Sequence, residues 1–326
     1  MLTRRTALIG AALAPLARPA LAQSGWPNRP VRMVVPFGAG GNLDTLIRIV
    51  SPMMSQRLGQ PVVIENRPGA GGNLGAEAVS RSTPDGYTVL VAANGSLVNN
   101  PLLMLRMPYD AEKDFATIGL GFRTPNVLVV SPRYPHQTQA AFFADAKARK
   151  GQVTCASAGI GTTNHMLIEL LNAATGAGMV HVPYRASGAS TPDLIGGTLD
   201  SAVDQITTAL PQHRDGALKI LGIGLPERMP MLPDVPSFAE IGLEGGGITS
   251  FIGLLVPATT PAGPIARLQE AFSTALADPA ARARVEAIGN IIATPEEQTP
   301  AGFTKALEVE RRLARRAVEL AGLTPS

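Results

Sequence analysis

Val31-Arg-Met-Val-Val-Pro-Phe-Gly-Ala-Gly-Gly-Asn-Leu-Asp44 reads as a buried strand, a glycine turn and the start of a helix. The run Val31 to Val35 is apolar and β-branched, as a buried strand is. Pro36 closes the strand because it has no N–H to give a ladder. Gly38, Gly40 and Gly41 permit positive φ and a close approach of backbone to ligand. Asn42 or Asp44 is placed to cap the helix that carries Leu46, Ile47, Val50, Met53, Met54 and Leu58. Such a turn aims free N–H groups and a positive helix end at one point, which suits a carboxylate or a phosphate.

The construction repeats. Val62 to Glu65 is followed by Gly69-Ala-Gly-Gly-Asn-Leu74, the same hexapeptide as Gly38 to Leu43, with a helix expected from about Gly75. A third unit is Val153-Thr-Cys-Ala-Ser157 leading into Ala158-Gly-Ile-Gly-Thr-Thr-Asn-His165. Three strand–turn–helix units place N–H groups at carboxyl ends of strands, where open α/β sheets bind ligands. The bland reading is that these turns only connect elements; their recurrence favours a shared small-anion site. A dinucleotide needs Gly-x-Gly-x-x-Gly, and the third position is Leu43, Leu74 or Asn164 instead. No Gly-Lys-Ser/Thr follows any turn, so the phosphate-loop pattern fails too. The four histidines show no metal-ligand spacing, and neither metal nor cofactor is expected.

The N-terminus reads as a cleaved leader. Arg4 and Arg5 precede an apolar run too short to span a bilayer, and Ala20-Leu-Ala22 is a small-x-small cleavage signal. Residues 1–22 are assigned to a signal peptide that exports the chain to the periplasm, by the general secretory or the twin-arginine route. The leader holds three of the 28 basic residues and no acid, so the mature chain has 25 of each sign. Aromatics are few and no basic cluster marks a groove, so nucleic acid is not an expected partner. Cys155 is the single cysteine, so no intramolecular disulfide forms. It lies in an apolar strand and reads as a buried thiol rather than a nucleophile.

The roughly 300 residues that remain exceed one usual domain. Strands and helices alternate, which gives an α/β class with mainly parallel sheets. Apolar strands at Val127–Val130 and Phe251–Val256 read as crossings between two lobes. Residues 23–125 with 250–326 form one lobe, and 126–249 the other. Further strands are expected at Tyr87–Ala92, Val180–Tyr184, Leu199–Ile206 and Leu218–Ile223. The last helix, Thr299–Leu320, is expected to bury Phe303, Leu307, Leu313 and Val318 against a solvated charged face from Glu308 to Arg316. Ligand loops on both sides of a cleft, joined by two crossings, are the plan of a hinged binding protein.

The residues also carry a family resemblance over essentially the whole mature chain. Its signposts are Val34 to Asp44, Val63 to Asn73, Pro84-Asp-Gly-Tyr87, Tyr109-Asp110 with Lys113-Asp-Phe115, and Ser157 to Thr162 with His165. His181-Val-Pro-Tyr184, Asp193 to Gly197, Leu232-Pro-Asp-Val-Pro236 and Glu240-Ile-Gly242 complete them. The chain resembles the Bug-type extracytoplasmic solute receptors, the substrate-binding component of tripartite tricarboxylate transporters. It departs from them at Ala39, where proline is usual, and at Phe251, where tryptophan is common. The resemblance implies a type II periplasmic-binding-protein fold with a ligand cleft between its lobes, and small organic acids as ligands. Loops matched by Pro36–Asp44 and Ser157–His165 would grip one carboxylate, helped by ordered water. The site residues so implied are Phe37, Ala39, Gly40, Gly41 and Asp44 from the first loop. Ser157, Gly159, Gly161, Thr162 and His165 come from the second. Asn94, Gly95, Ser96, Tyr184, Arg185, Gly188 and Asp204 would meet the rest of the ligand. Valine at Gly40 or Gly161 is expected to abolish binding.

Residue by residue, structural roles compete with these. Asp44 reads best as a support of its loop. His165 serves equally well as a packing residue, His181 as structural, and His136 and His213 as surface groups. Arg185 is either a partner for a second carboxylate or solvated. Asp204 would repel acids unless the ligand also bears an amine or hydroxyl. The function read is a non-catalytic receptor that delivers a small carboxylate to membrane permease subunits, itself a monomer. The alternatives are an exported enzyme acting on a carboxylic acid, for which no nucleophile elbow or triad is present, and a ligand-sensing partner of a membrane signalling protein.

Overall fold

A computed structural model describes residues 25–243 and 248–325; the expected signal peptide lies outside the described residues. The strand–turn–helix reading of the opening stretch corresponds to β1 (Val31–Val35) and α1 (Asn42–Leu58). β2 (Val62–Asn66) passes through a 3-10 turn, Ala70–Gly72, into α2 (Asn73–Ser80), which starts two residues earlier than expected. β3 (Thr88–Ala92) ends at a single π turn, Gly95–Asn99, that continues as α3 (Asn100–Leu103). β4 (Phe115–Thr124) was not read from the sequence. Its two glycines and mixed polarity conceal it, and both glycines are forced by packing. A Cβ on Gly121 would lie 2.3 Å from the Phe272 ring, and one on Gly119 2.4 Å from the Gln298 carbonyl oxygen.

One residue, Pro125, separates β4 from β5 (Asn126–Val130), the first strand of the second lobe. There follow α4 (Gln139–Arg149), β6 (Thr154–Ser157), α5 (Thr163–Thr175), β7 (Val180–Pro183) and α6 (Thr191–Gly196). Then come β8 (Ser201–Gln205), α7 (Ile206–Arg214) and β9 (Lys219–Ile223). β10 (Ser250–Pro257) returns to the first sheet, and α8 (Ala262–Ala277), α9 (Pro279–Ala287), β11 (Ile291–Ile292) and α10 (Pro300–Leu320) close the chain.

The two sheets share one plan. The first has the order β11-β4-β10-β3-β1-β2 and the second β7-β6-β8-β5-β9. β1 pairs in parallel with β2 and β3, and β6 with β7 and β8. β10 is antiparallel to both its long neighbours, β3 and β4, and β5 to both of its own, β8 and β9. β1 to β4 therefore point one way, and so do β6 to β9. In each sheet the interior strand that runs against that direction is the one that has just crossed over; at the edge of the first, β11 is also antiparallel to β4. The carboxyl ends of β1, β3, β6 and β8 carry the loops where such sheets meet ligands.

Alternation sorts the strand side chains onto two faces. Val31, Met33 and Val35 pack with α1 and α8, while Val34 joins Leu90, Phe251 and Phe303 on the other side. α10 differs from the expected amphipathic face. Leu313 is 51% exposed, and Glu310, counted among the solvated charges, is 8% exposed. The buried line is Phe303, Leu307, Glu310, Ala314 and Ala317, which keeps the 3.6-residue period. Glu310 tolerates burial because it accepts from Arg123 Nη1 at 2.7 Å and from Asn94 Nδ2 at 3.2 Å. The end of the helix leaves the first lobe: Ala317 belongs to the core of the second, and Val318 packs against it.

Candidate functional site

The first loop is built around its glycines and one buried acid. Gly40 sits at φ 76, which a side chain would strain. Its N–H donates to Asp44 Oδ2 at 2.9 Å. The same oxygen accepts from Arg48 Nε at 2.9 Å, and Oδ1 accepts from Asn66 Nδ2 at 3.0 Å. Burial works to raise the Asp44 pKa, and bonds from Arg48, Gly40 and Asn66 more than offset it, leaving the carboxyl below its ordinary value. Neither Asn42 nor Asp44 caps α1; the N-cap is Gly41, with no side-chain bond. Asp44 reaches backwards from the first turn, and the Asn42 amide is engaged elsewhere.

The second loop repeats this geometry with other groups. Gly161, also at φ 76, donates its N–H to His165 Nδ1 at 3.2 Å. Thr162 is a true N-cap and accepts from the His165 N–H at 3.4 Å. Gly159 N–H donates to Ser157 Oγ at 3.0 Å, and Ser157 Oγ lies 2.6 Å from His181 Nε2. The His165 and His181 rings stack with centroids 4.1 Å apart. Because Nδ1 of His165 accepts, its proton is on Nε2. Burial lowers the pKa of both histidines, and the neighbouring ring adds to the effect on His181, pushed down to about 4.

Several expected contact residues are occupied by the protein itself. Asn94 Oδ1 accepts from the Phe251 N–H at 2.8 Å, and its Nδ2 serves Glu310, so it braces β10. Ser96 Oγ turns back to the Ala93 carbonyl. Tyr184 donates to Asp193 Oδ2 at 2.5 Å. Both Asp204 oxygens are engaged by the protein: Oδ2 accepts from Gly188 N–H at 2.9 Å and Oδ1 from Gln205 N–H at 2.8 Å. Burial pushes its carboxyl up. Arg185 is exposed. Cys155 is fully buried, with its thiol pushed up to about 12.

Where the lobes meet, the two helix starts converge on a cavity of about 20 Å³. Phe37, Gly95 and Thr162, three of the sequence-based candidates, line it. So do Asn42, Leu43, Thr163 and Asn164, which lie in the two expected loops but were not named as contacts, and Ser187, Gln205 and Ser250. No charged side chain lines it. With Gly40 and Gly161 N–H groups spent inside their own loops, the open donors are those of the first helical residues. Asn42 and Leu43 begin α1, Thr163 and Asn164 begin α5, and an α-helix supplies no acceptor for such N–H groups. Counting from the helix starts would have found these four. Ala39, Gly40 and Gly188 instead border a separate groove of about 650 Å³, together with Ala186, Ser187 and Thr207. The depression of about 580 Å³ beside Arg311 and Arg315 touches neither loop.

The lobes are in direct contact around this cavity. A Cβ on Gly71 would lie 2.3 Å from the Ile160 carbonyl oxygen, and one on Gly161 would lie 1.7 Å from Asn100 Oδ1. A buried ring of side chains also joins them. Asn42 Nδ2 donates to Thr124 Oγ1 at 3.2 Å, Thr124 to Asn290 Oδ1 at 2.6 Å, and Asn290 Nδ2 to Thr207 Oγ1 at 2.8 Å. Thr207 closes the ring on Asn42 Oδ1 at 2.5 Å. A cavity of this size admits about one water-sized group. An acid of several atoms therefore needs the lobes further apart before they close on it.

Residues 46–313 match the family described as the tripartite tricarboxylate transporter family receptor. The chain belongs to that family. Its members are solute-binding receptors of the periplasm. The chain is 30% identical to periplasmic binding protein BugD, with a TM-score of 0.88 over 92% of this chain and 100% of that one. It is 32% identical to MatC from Rhodopseudomonas palustris with bound malate, with a TM-score of 0.85 over 91% and 100% of the two chains. An R. palustris protein with adipate gives 28% identity and a TM-score of 0.88, over 92% and 100%. The type II two-lobe fold and the solute-binding role follow from this membership.

Proposed function

We propose that this receptor captures a small organic carboxylate in the periplasm and hands it on to permease subunits of a tripartite tricarboxylate transporter. The observation that carries the reading is the meeting of two open helix N-termini, one from each lobe, at one uncharged cavity. Two sets of N–H dipoles attract an anion without a fixed cation, and excluding water strengthens them. The malate and adipate bound by the two R. palustris relatives are consistent with a carboxylate. The lobes that close are residues 23–125 with 250–326, and 126–249, and the chain acts as a monomer without a cofactor. It releases the acid unaltered. Ser157 and His181 have the spacing of a nucleophile and base. Ser157, however, is engaged by the Gly159 N–H and does not line the cavity.

Calorimetric titration of a panel of small acids, with solution scattering on the same samples, tests the proposal. At least one carboxylate is expected to bind with micromolar affinity, about −8 kcal/mol, and to leave the cavity chemically unchanged by mass spectrometry. Failure of every acid to bind, or turnover of the bound one, overturns it.

A further inference from the structure

One polar atom at this cavity has no partner. Gln205, at the end of β8, lines the cavity and is 5% exposed, and its Oε1 is buried without a hydrogen bond. The other amide atom is fully used. Nε2 donates to Asn164 Oδ1 at 2.9 Å and to Ser250 Oγ at 3.3 Å.

The orientation of this amide is dictated from the hinge. Asn126 Nδ2 donates to the Ile248 carbonyl at 2.7 Å, and a carbonyl only accepts. Asn126 must then present Oδ1 to Asn164 Nδ2, at 3.1 Å, and Asn164 must present Oδ1 to Gln205 Nε2. Three amides in a row are thereby fixed nitrogen to oxygen, and the last oxygen is left over. Turning Gln205 around would set two acceptors against each other. Asn99 Nδ2, Gln139 Nε2 and Thr260 Oγ1 are also buried without partners, but none of those residues lines this cavity.

Burying an acceptor unmet is unfavourable, and such atoms in folded proteins ask for a reason. An ionised carboxylate consists of acceptors only, so it suits the helix N–H groups and not Gln205 Oε1. We infer that the ligand carries a hydrogen-bond donor, a hydroxyl or an ammonium group, beside its carboxylate, and that Gln205 Oε1 receives it. This rests on the carboxylate reading above and narrows it to hydroxy or amino acids. A site that hydrogen-bonds a ligand donor rejects the analogue that lacks it, because its own polar group is then stranded.

The test compares acids that share a skeleton. Propionate, lactate and alanine form one set, and succinate, malate and aspartate another; all six are titrated calorimetrically into the full mature chain. In at least one set, a donor-bearing acid is expected to bind about tenfold or more tightly than the bare acid. Whether it is the hydroxy or the amino member identifies the donor. In Gln205→Met, which keeps the length and removes the amide, that ratio is expected to fall toward one. A bare acid binding as tightly as its donor-bearing partners overturns the inference and leaves the carboxylate reading standing. An undiminished ratio in Gln205→Met, in a variant that melts like the parent, also overturns it. Binding by none of the six overturns both. The ratio in the parent protein decides the matter even where the variant fails to fold.

Discussion

Gly38–Asp44 and Ser157–His165 make the same turn from strand to helix in opposite lobes. In each, a glycine at φ 76 gives its N–H to a side chain four residues on, in the first helical turn. The acceptors differ. Asp44 is an ionised carboxylate held by Arg48 and Asn66 as well, whereas His165 is a neutral imidazole stacked on His181. Gly38 and Gly41 of the first loop lie close to Ala186 of the other lobe, but beyond Gly40 a side chain would meet nothing within 4 Å. The second loop faces the other lobe, with Asn100 against Gly161. The comparison shows these glycines setting the turn, each with its own N–H engaged inside its loop. In both loops the acceptor at the third helical position leaves the N–H groups of the first two to the cavity.

Removing the acceptors separates the two loops most sharply. Asp44→Ala removes a buried acceptor from the exposed Gly40 N–H and from the half-buried Asn66 amide, which keeps the Phe37 carbonyl, and is expected to lower stability by about 2 kcal/mol. The Arg48 pair adds little, because Arg48 is half exposed. His165→Ala loses one neutral bond and a ring contact, about 1 kcal/mol. Urea denaturation of the two variants measures the gap; equal losses would show that the two acceptors are interchangeable.

The glycines themselves come next. Gly161→Ala and Gly40→Ala carry the same penalty of about 1 kcal/mol for an alanine at positive φ. Only the first also drives a methyl group into Asn100, whose Nδ2 is held by Asn73 Oδ1 at 2.7 Å. Gly161→Ala is therefore expected to weaken ligand binding by roughly tenfold more than Gly40→Ala, as overpacking of about 1–2 kcal/mol would. Similar affinities in the two would mean that this contact is absent from the closed state. Sequence alone ranked valine at either position as equally damaging.

Thr207→Val opens the buried ring between the lobes. It leaves Asn42 Oδ1 and Asn290 Nδ2 short of a partner, about 1 kcal/mol, and is expected to weaken binding a few-fold. A loss of melting temperature with unchanged affinity would make the ring a structural brace with no part in closure.

Acid distinguishes the loops most gently. His165 and His181 have folded pKa values depressed from 6.5, so each contributes stability above pH 6.5 that is lost as pH falls through its folded value, about 4 for His181. Asp44, whose pKa is lowered from 3.8, keeps its contribution until pH falls below that value. The second loop is thus expected to loosen first on acidification. NMR titration should find the His181 imidazole neutral at pH 6 and His165 titrating below 6.5, and His165→Gln with His181→Gln should flatten the slope of stability below pH 6.5. Either ring titrating at or above 6.5 would break the contrast.

Much of this was legible in one dimension. Val31–Val35 and Val127–Val130 announce strands by their β-branched runs, and Gly59 and Gly176 stop helices at positive φ. Motif order pointed to the receptor family, and the crossings fell next to β5 and β10. What escaped has a common cause. β4 hides behind glycines that packing demands, Glu310 looks solvated until Arg123 is placed beside it, and the Asp204 carboxylate looks open until the Gly188 and Gln205 N–H groups are found on it.

Beyond the expected leader and the ligand class that its family resemblance implied, the sequence by itself determined the strand–turn–helix units, the two-lobe plan and loops suited to a small anion. Those features depend on neighbours along the chain, on periodicity, on turn chemistry and on the absence of charge patterns. Only the tertiary structure decided which hydrogen-bonding atoms are spent and which are free. Asn42 meets Thr207, Gln205 meets Asn164, and Asn100 faces Gly161 across 165, 41 and 61 positions of chain. A polar side chain has several partners open to it in sequence, and only closure of the fold, which must satisfy every buried donor and acceptor at once, selects among them.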